Sequence, residues 1–279
     1  MSAGSVRPPA VAEIFYPGDR ARLLHLIDSL TPKPEPDPNE KEPAQAILTP
    51  HAGLMYSGRV AASVFSRVRI PPVAVILGFN HRGSGPTYSA WPGEAWETPL
   101  GRAAVHQPLA RRLKVEFPEL ELEARAHEGE HSGELQLVFL QYFRPDVQIV
   151  PVSLNAWRDE SGFESLKRFG AALARAVAAV GPDTFVVASS DMNHYESEET
   201  TQYKDDRAIQ AMCSLDADAL REVVVREQIS MCGFAPAVAV ISYARARGSR
   251  GGRLALHATS GDVSGDRERV VGYAGIVFQ

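Results

Sequence analysis

The sequence predicts an α/β fold: a single domain over 1–279 with a largely parallel central sheet flanked by helices. Three observations carry that expectation. Short apolar runs stand at 44–48, 73–77, 147–152, 184–188 and 270–278, and continuous runs of this kind suit strands buried on both faces. Stretches of helical periodicity lie between them, and such alternation argues for a parallel sheet with helical crossovers. The length, 279 residues with 44% hydrophobic content, allows a full core.

The elements follow in order. Residues 19–30 place Leu23, Leu26, Ile27 and Leu30 at helical spacing, an opening helix. Residues 31–43, TPKPEPDPNEKEP, alternate proline with charge. They can neither continue a helix nor fill a central strand, so they read as an exposed loop within the domain. A helix is expected over 57–68, capped by Ser57, with Val60, Val64 and Val68 on one face. The pattern over 84–125 is ambiguous and allows antiparallel strands. Helices are expected over 132–143 and 161–180, the latter ended by Gly181-Pro182. Two more are expected over 202–226 and 236–247. No internal repeat is present.

Composition narrows the partners. Lys+Arg is 29 and Asp+Glu is 34, a net charge of −5 without a basic run, so nucleic acid is not an expected partner. No apolar run approaches the roughly 18 residues a membrane helix needs, and the N-terminus has no apolar signal core. With two cysteines, Cys213 and Cys232, the chain reads as a cytoplasmic protein with reduced thiols.

The polar chemistry collects after the strands. The run ending in Leu48 leads to Thr49-Pro50-His51-Ala52-Gly53. The run ending in Leu77 leads to Gly78-Phe79-Asn80-His81-Arg82-Gly83. The third leads to Ser189-Ser190-Asp191-Met192-Asn193-His194. In open α/β sheets ligands bind outside the carboxyl ends of the strands. If these strands are parallel neighbours, His51, His81 and His194 converge on one crevice, where imidazoles ligate a metal or move protons. Two residues could supply a third donor. Cys232, in Met231-Cys232-Gly233-Phe234-Ala235-Pro236, stands just before a helix, where the helix dipole favours thiolate. Asp191 could ligate, or hold a histidine tautomer. Cys213 reads as a buried apolar residue.

Two other motifs compete. His127-Glu128-Gly129-Glu130-His131 matches the H-E-x-x-H of zinc peptidases. That chemistry needs both histidines on one helix face, and here Gly129 and Gly133 bracket His131 and Ser132 reads as the cap of the helix that follows. The motif therefore falls in a loop, although His131 and Glu134 could still border the crevice. Residues 259–266, TSGDVSGD, are turn formers near the last strand, read as a connecting loop rather than a phosphate or ion loop.

Taken together, these residues resemble the Memo family, whose prokaryotic members are called AmmeMemoRadiSam system protein B. The likeness runs nearly end to end, through AEIFYPGD (12–19), TPHAGLMYSGRVAA (49–62), ILGFNHRG (76–83), EHSGELQLVFLQ (130–141), VVASSDMNHY (186–195), CGFAPAVAV (232–240) and TSGDVSGD (259–266). The resemblance implies a fold like that of the class III extradiol dioxygenases, which are non-haem iron enzymes. It implies metal ligation by His51, His81 and Cys232, with Asp191 and His194 lining the same pocket. In the related dioxygenases the histidine matching His194 acts in acid–base catalysis, and a glutamate stands where Memo has cysteine. Family members are described as binding iron or copper, and vertebrate members are linked to receptor phosphopeptides. Asn193 and Phe79 differ from many relatives without removing a ligand. The expected activity is a metal-dependent oxidoreductase that uses Fe(II), or else Cu or Zn, and dioxygen on a small-molecule substrate. The alternative is a non-catalytic metal- or peptide-binding protein.

Overall fold

The innermost strands of the sheet divide their side chains between two apolar cores, which is why their sequence runs are continuously apolar. Val75 and Leu77 face one core while Ala74 and Ile76 face the other; Val186 and Ala188 are set against Phe185 and Val187 in the same way. The computed structural model describes residues 5–34, 37, 40–156, 159–181 and 183–279. Within them the chain opens with β1 (Val6–Arg7), α1 (Arg20–Leu30), β2 (Ala46–Thr49), α2 (Leu54–Phe65) and β3 (Val73–Phe79). It continues through β4 (Tyr88–Ala90), β5 (Ala95–Thr98), β6 (Gly101–Ala104), α3 (Gln107–Glu116) and β7 (Glu121–Leu122). Next come α4 (Ser132–Phe143), β8 (Gln148–Leu154), α5 (Glu160–Val180), β9 (Thr184–Ser189) and β10 (His194–Glu196). The last elements are α6 (Glu198–Cys213), α7 (Ala217–Arg226), α8 (Phe234–Ala246), β11 (Gly252–Thr259), α9 (Gly261–Ser264) and β12 (Val270–Phe278).

The main sheet has the order β10-β12-β2-β9-β3-β8-β4-β7, with β11 on β12. Its centre, β2-β9-β3-β8, is parallel. Its flanks are not: β12 is antiparallel to β2, and β4 to β8. The run 270–278 thus departs from the parallel set it was grouped with. It follows β11 through residues 260–269, which hold only the single turn of α9, and so short a connection makes an antiparallel pair rather than a crossover. A small second sheet, β1-β5-β6, lies apart. The α/β class with a parallel centre is as expected.

Several boundaries move. Helix α2 starts at Leu54, not Ser57, because the Leu54 amide donates to the Phe15 carbonyl (2.8 Å) and Gly53 serves as cap. Residues 202–226 are two helices. Leu215 breaks them with φ 54°, and Asp216 caps α7 by accepting from the Ala219 amide (2.9 Å). Helix α3, inside the ambiguous stretch, is capped by the His106 ring, whose Nδ1 accepts from the Leu109 amide. Gly181 ends α5 in the left-handed conformation, φ 73°; Pro182 lies outside the described residues. Of the loop 31–43, residues 35, 36, 38 and 39 also lie outside them, and Pro32, Lys33, Pro34, Asp37, Glu40 and Pro43 are exposed. No described helix is long and apolar enough to cross a membrane.

Candidate metal centre

Strands β2, β9 and β3 are parallel neighbours, so the loops leaving their carboxyl ends meet. His51 follows β2, Asp191 follows β9 and His81 follows β3. Cys232 comes in from the other direction, ahead of α8 and its cap Gly233. Cys232 Sγ lies 3.2 Å from His51 Nε2. The His51 and His81 rings are 5.2 Å apart, and His81 stacks on His131 at 4.5 Å. Two overlapping sets of donor atoms lie within 4.8 Å of one another, His51/His81/His131 and His51/Asp191/Cys232. Each set could hold a metal, and the two share only His51; the expected ligands His81 and Cys232 fall in different sets.

The hydrogen bonds around His51 fix its tautomer. Ser189 Oγ donates to the Ser132 carbonyl (2.7 Å) and accepts from Gln136 Nε2 (2.8 Å). Gln136 must present its NH₂ there, because the same nitrogen donates to the Pro50 carbonyl (2.9 Å). A hydroxyl has one proton and two lone pairs. The remaining lone pair of Ser189 thus takes a proton from His51 Nδ1 (2.8 Å), and His51 Nε2 faces Cys232 as a bare acceptor. Burial, followed by the neighbouring His81, lowers His51 to about 3, so the ring stays neutral.

Glu130 orients the His81 ring. One carboxylate oxygen accepts from the His81 amide (2.8 Å) and the other from His81 Nδ1 (2.9 Å). The second oxygen also accepts from the amides of His131 (2.9 Å) and Ser132 (2.8 Å), at the start of α4. Burial works to raise Glu130, but the His81 bond and the facing imidazoles hold its carboxyl well below the usual range. Burial and His51 lower His131 to about 4.

Asp191 Oδ1 accepts from the amides of His51 (2.7 Å) and Ala52 (3.3 Å), tying the β9 loop to the β2 loop. Burial raises its carboxyl above the ordinary range against those two bonds. His194 donates its amide to Ser230 Oγ (2.8 Å), and its Nδ1 is buried without a partner. Asp191 therefore binds backbone rather than the His194 ring. Tyr195, next in the chain, has φ 64°, a conformation that costs a non-glycine residue and marks the turn. Below this loop the fully buried Asp205 accepts from the Asn193 amide (3.0 Å) and pairs with His257 Nε2 (2.8 Å).

The expectation that Cys232 is favoured as thiolate does not hold in this setting. Burial, then the Asp191 charge, pushes the thiol far up, outweighing the helix terminus. A cation reverses that balance: it compensates a buried thiolate and carboxylate whose charges otherwise repel. The donor set thus fits a metal ion. Its identity is not fixed by the donors, which mix imidazole, thiolate and carboxylate.

Other sequence candidates lie elsewhere. His127 is not on a helix with His131. It sits buried between the Trp91 and Trp96 rings (5.9 and 5.8 Å), its Nε2 unpartnered, and burial lowers it to about 3. Glu134 turns from the crevice to pair with Arg7. Ser132 is the first residue of α4 rather than its cap, and its hydroxyl donates to the Phe79 carbonyl (2.8 Å). In 259–266 Asp262 accepts from the Thr259 amide (3.2 Å), a local connector. Cys213 is half-buried against the core.

A family model described as Memo-like protein matches residues 7–277. The chain belongs to the Memo family. Similar Memo proteins, each named MEMO1 family protein, come from Pyrobaculum arsenaticum (40% identical over 281 residues, 98% of this chain and 99% of the relative) and Aquifex aeolicus (39% over 274 residues, 98% and 99%). Another is from Thermotoga petrophila, 39% identical over 283 residues, with the same coverage. The Memo fold is extradiol dioxygenase-like, as the resemblance implied.

Proposed function

We propose that this Memo protein is a metal-dependent oxidoreductase that holds Fe(II) through His51, His81 and Cys232 and acts with dioxygen on a small, catechol-like substrate; Cu or Zn are the other metals the donors suit. The observation that carries the reading is the position of the His51–Cys232 pair, 3.2 Å apart, beside an apolar pocket. That pocket, about 300 Å³, is lined by Phe79, Ala156, Met231, Cys232, Phe234 and Ala235, with Asn155 and Ser230 as its polar members. Aromatic and aliphatic walls with few polar groups suit a flat, largely apolar ligand.

The chain's residues divide the work. His51 presents an unprotonated Nε2, because Ser189 accepts from its Nδ1, and Glu130 accepts from His81 Nδ1, so that the other ring nitrogen is the one free to ligate. Phe79 and Phe234 give the pocket aromatic walls. His194, whose amide is held by Ser230 Oγ at the pocket wall, is the residue we assign to take the proton of a bound phenol and return it to product. Bound Fe(II) supplies open coordination positions at which substrate and dioxygen can meet.

Anaerobic reconstitution with Fe(II), then oxygen uptake measured across a panel of catechols, tests the reading. Substrate-dependent uptake that vanishes in His194→Ala, with metal content retained, is the expected result. Full iron occupancy without uptake on any substrate points instead to a non-catalytic metal-binding protein.

A further inference from the structure

The N-terminal segment reaches the site through one buried side chain. Strand β1 pairs with β5 so that Arg7 lies beside Trp96, and its guanidinium sits 4.2 Å over that ring. Arg7 is 2% exposed, and its donors face three ways. Nε donates to the His127 carbonyl (2.8 Å), one terminal nitrogen donates to the Glu130 carbonyl, and the other to the Glu134 carboxylate (2.6 Å). Glu134 in turn accepts from the Ala10 amide (2.8 Å), the Val11 amide (3.1 Å) and the Tyr16 hydroxyl (2.6 Å).

The Glu130 carbonyl that Arg7 holds belongs to the residue whose carboxylate grips His81 and the first amides of α4. We propose that Arg7 is a positioning residue for the metal centre: by clamping both ends of the turn 127–130 it sets the Glu130 carboxylate, and through it the direction of His81 Nε2. The inference rests on the metal-centre reading above. Only a planar fork of donors satisfies two carbonyls and a carboxylate at once. A lysine keeps the charge opposite Glu134 but is a single point donor and leaves at least one carbonyl without a partner.

The test uses the full chain and Co(II) as the probe. Arg7→Lys should fold, with a Tm lowered by the carbonyl left without a partner. It should bind Co(II) at least tenfold more weakly and show an altered visible ligand-field spectrum, because His81 is no longer aimed. A merely structural role would lower the Tm and leave affinity and spectrum of the folded protein unchanged; that outcome overturns the proposal. If Arg7→Lys does not fold, Glu134→Gln, which loosens the same clamp from the far side, is read by the same two measurements and decides in the same way. Should the parent itself take up no Co(II), the metal reading fails separately. The clamp is then judged in the metal-free protein by NMR. The His81 Nδ1 proton, held by Glu130, should be strongly downfield in the parent and lost in Arg7→Lys. An unchanged signal overturns the clamp.

Discussion

Glu130 holds His81 at two points, accepting from its backbone amide at 2.8 Å and from ring Nδ1 at 2.9 Å. The ring can then neither rotate nor exchange tautomers without breaking a charge-assisted bond. Carboxylates behind metal-binding histidines typically contribute about 10–100-fold in affinity. Glu130→Gln should therefore weaken metal binding by roughly that factor, measured by competition with a chelator. Parental affinity in the variant would remove Glu130 from the centre.

His51 and Cys232 are expected to be indispensable to occupancy. His51→Ala deletes the imidazole shared by both donor sets, and Cys232→Ser deletes the only sulfur donor in them. Both variants should fold and lose most bound iron or copper by elemental analysis. Full occupancy in both refutes the ligand assignment.

Stability should fall on the acid side of neutrality. His51 and His127 are lowered to about 3, and His131 to about 4, against about 6.5 in an unfolded chain. Between those values the unfolded state binds more protons, so stability rises with pH through the window and is lost as pH falls from about 6.5 toward 4. Each such histidine contributes about 1.4 kcal/mol per pH unit. His127→Phe fills the same aromatic site without a titrating group. Its stability, from urea unfolding at about pH 6 and pH 4.5, should fall less steeply by one proton's worth. An identical slope means that His127 is not held neutral.

Gly272 has no room for a side chain. A Cβ there would lie 1.8 Å from Asp205 Oδ2, and Asp205 is the acid that supports the Asn193 amide. Gly272→Ala should destabilise the fold by about 3 kcal/mol, as overpacking against a buried charged group does. A loss below about 0.5 kcal/mol, the range of ordinary surface changes, counts against this close approach.

Much of the fold was legible because the central strands are buried on both faces. Runs such as VAVIL carry that signal without help from periodicity. The direction of β12 was not legible, since an apolar strand reads alike in either orientation and only the short α9 connection decides it. In the site, His51, His81 and His194 were read from their shared position after strands and Asp191 as a candidate further donor; the donor sets include His51, His81 and Asp191 and leave His194 outside them. The supports of these side chains were not legible. Ser189 and Gln136 are ordinary polar residues 53 positions apart, and Glu130 meets His81 across 49. Arg7 reaches Glu134 over 127 positions and leaves no local pattern. Cys232 was placed by its helix, but its ionisation was misjudged because burial exceeds the dipole of one helix end.

The bare Nε2 of His51 has a calorimetric consequence. Imidazoles that are neutral beforehand give up nothing when a cation arrives, whereas the buried thiol of Cys232 must part with its hydrogen. Uptake should therefore acidify the medium by a small, countable amount traceable to sulfur. Heats recorded in buffers of different ionisation enthalpy would reveal that quantity.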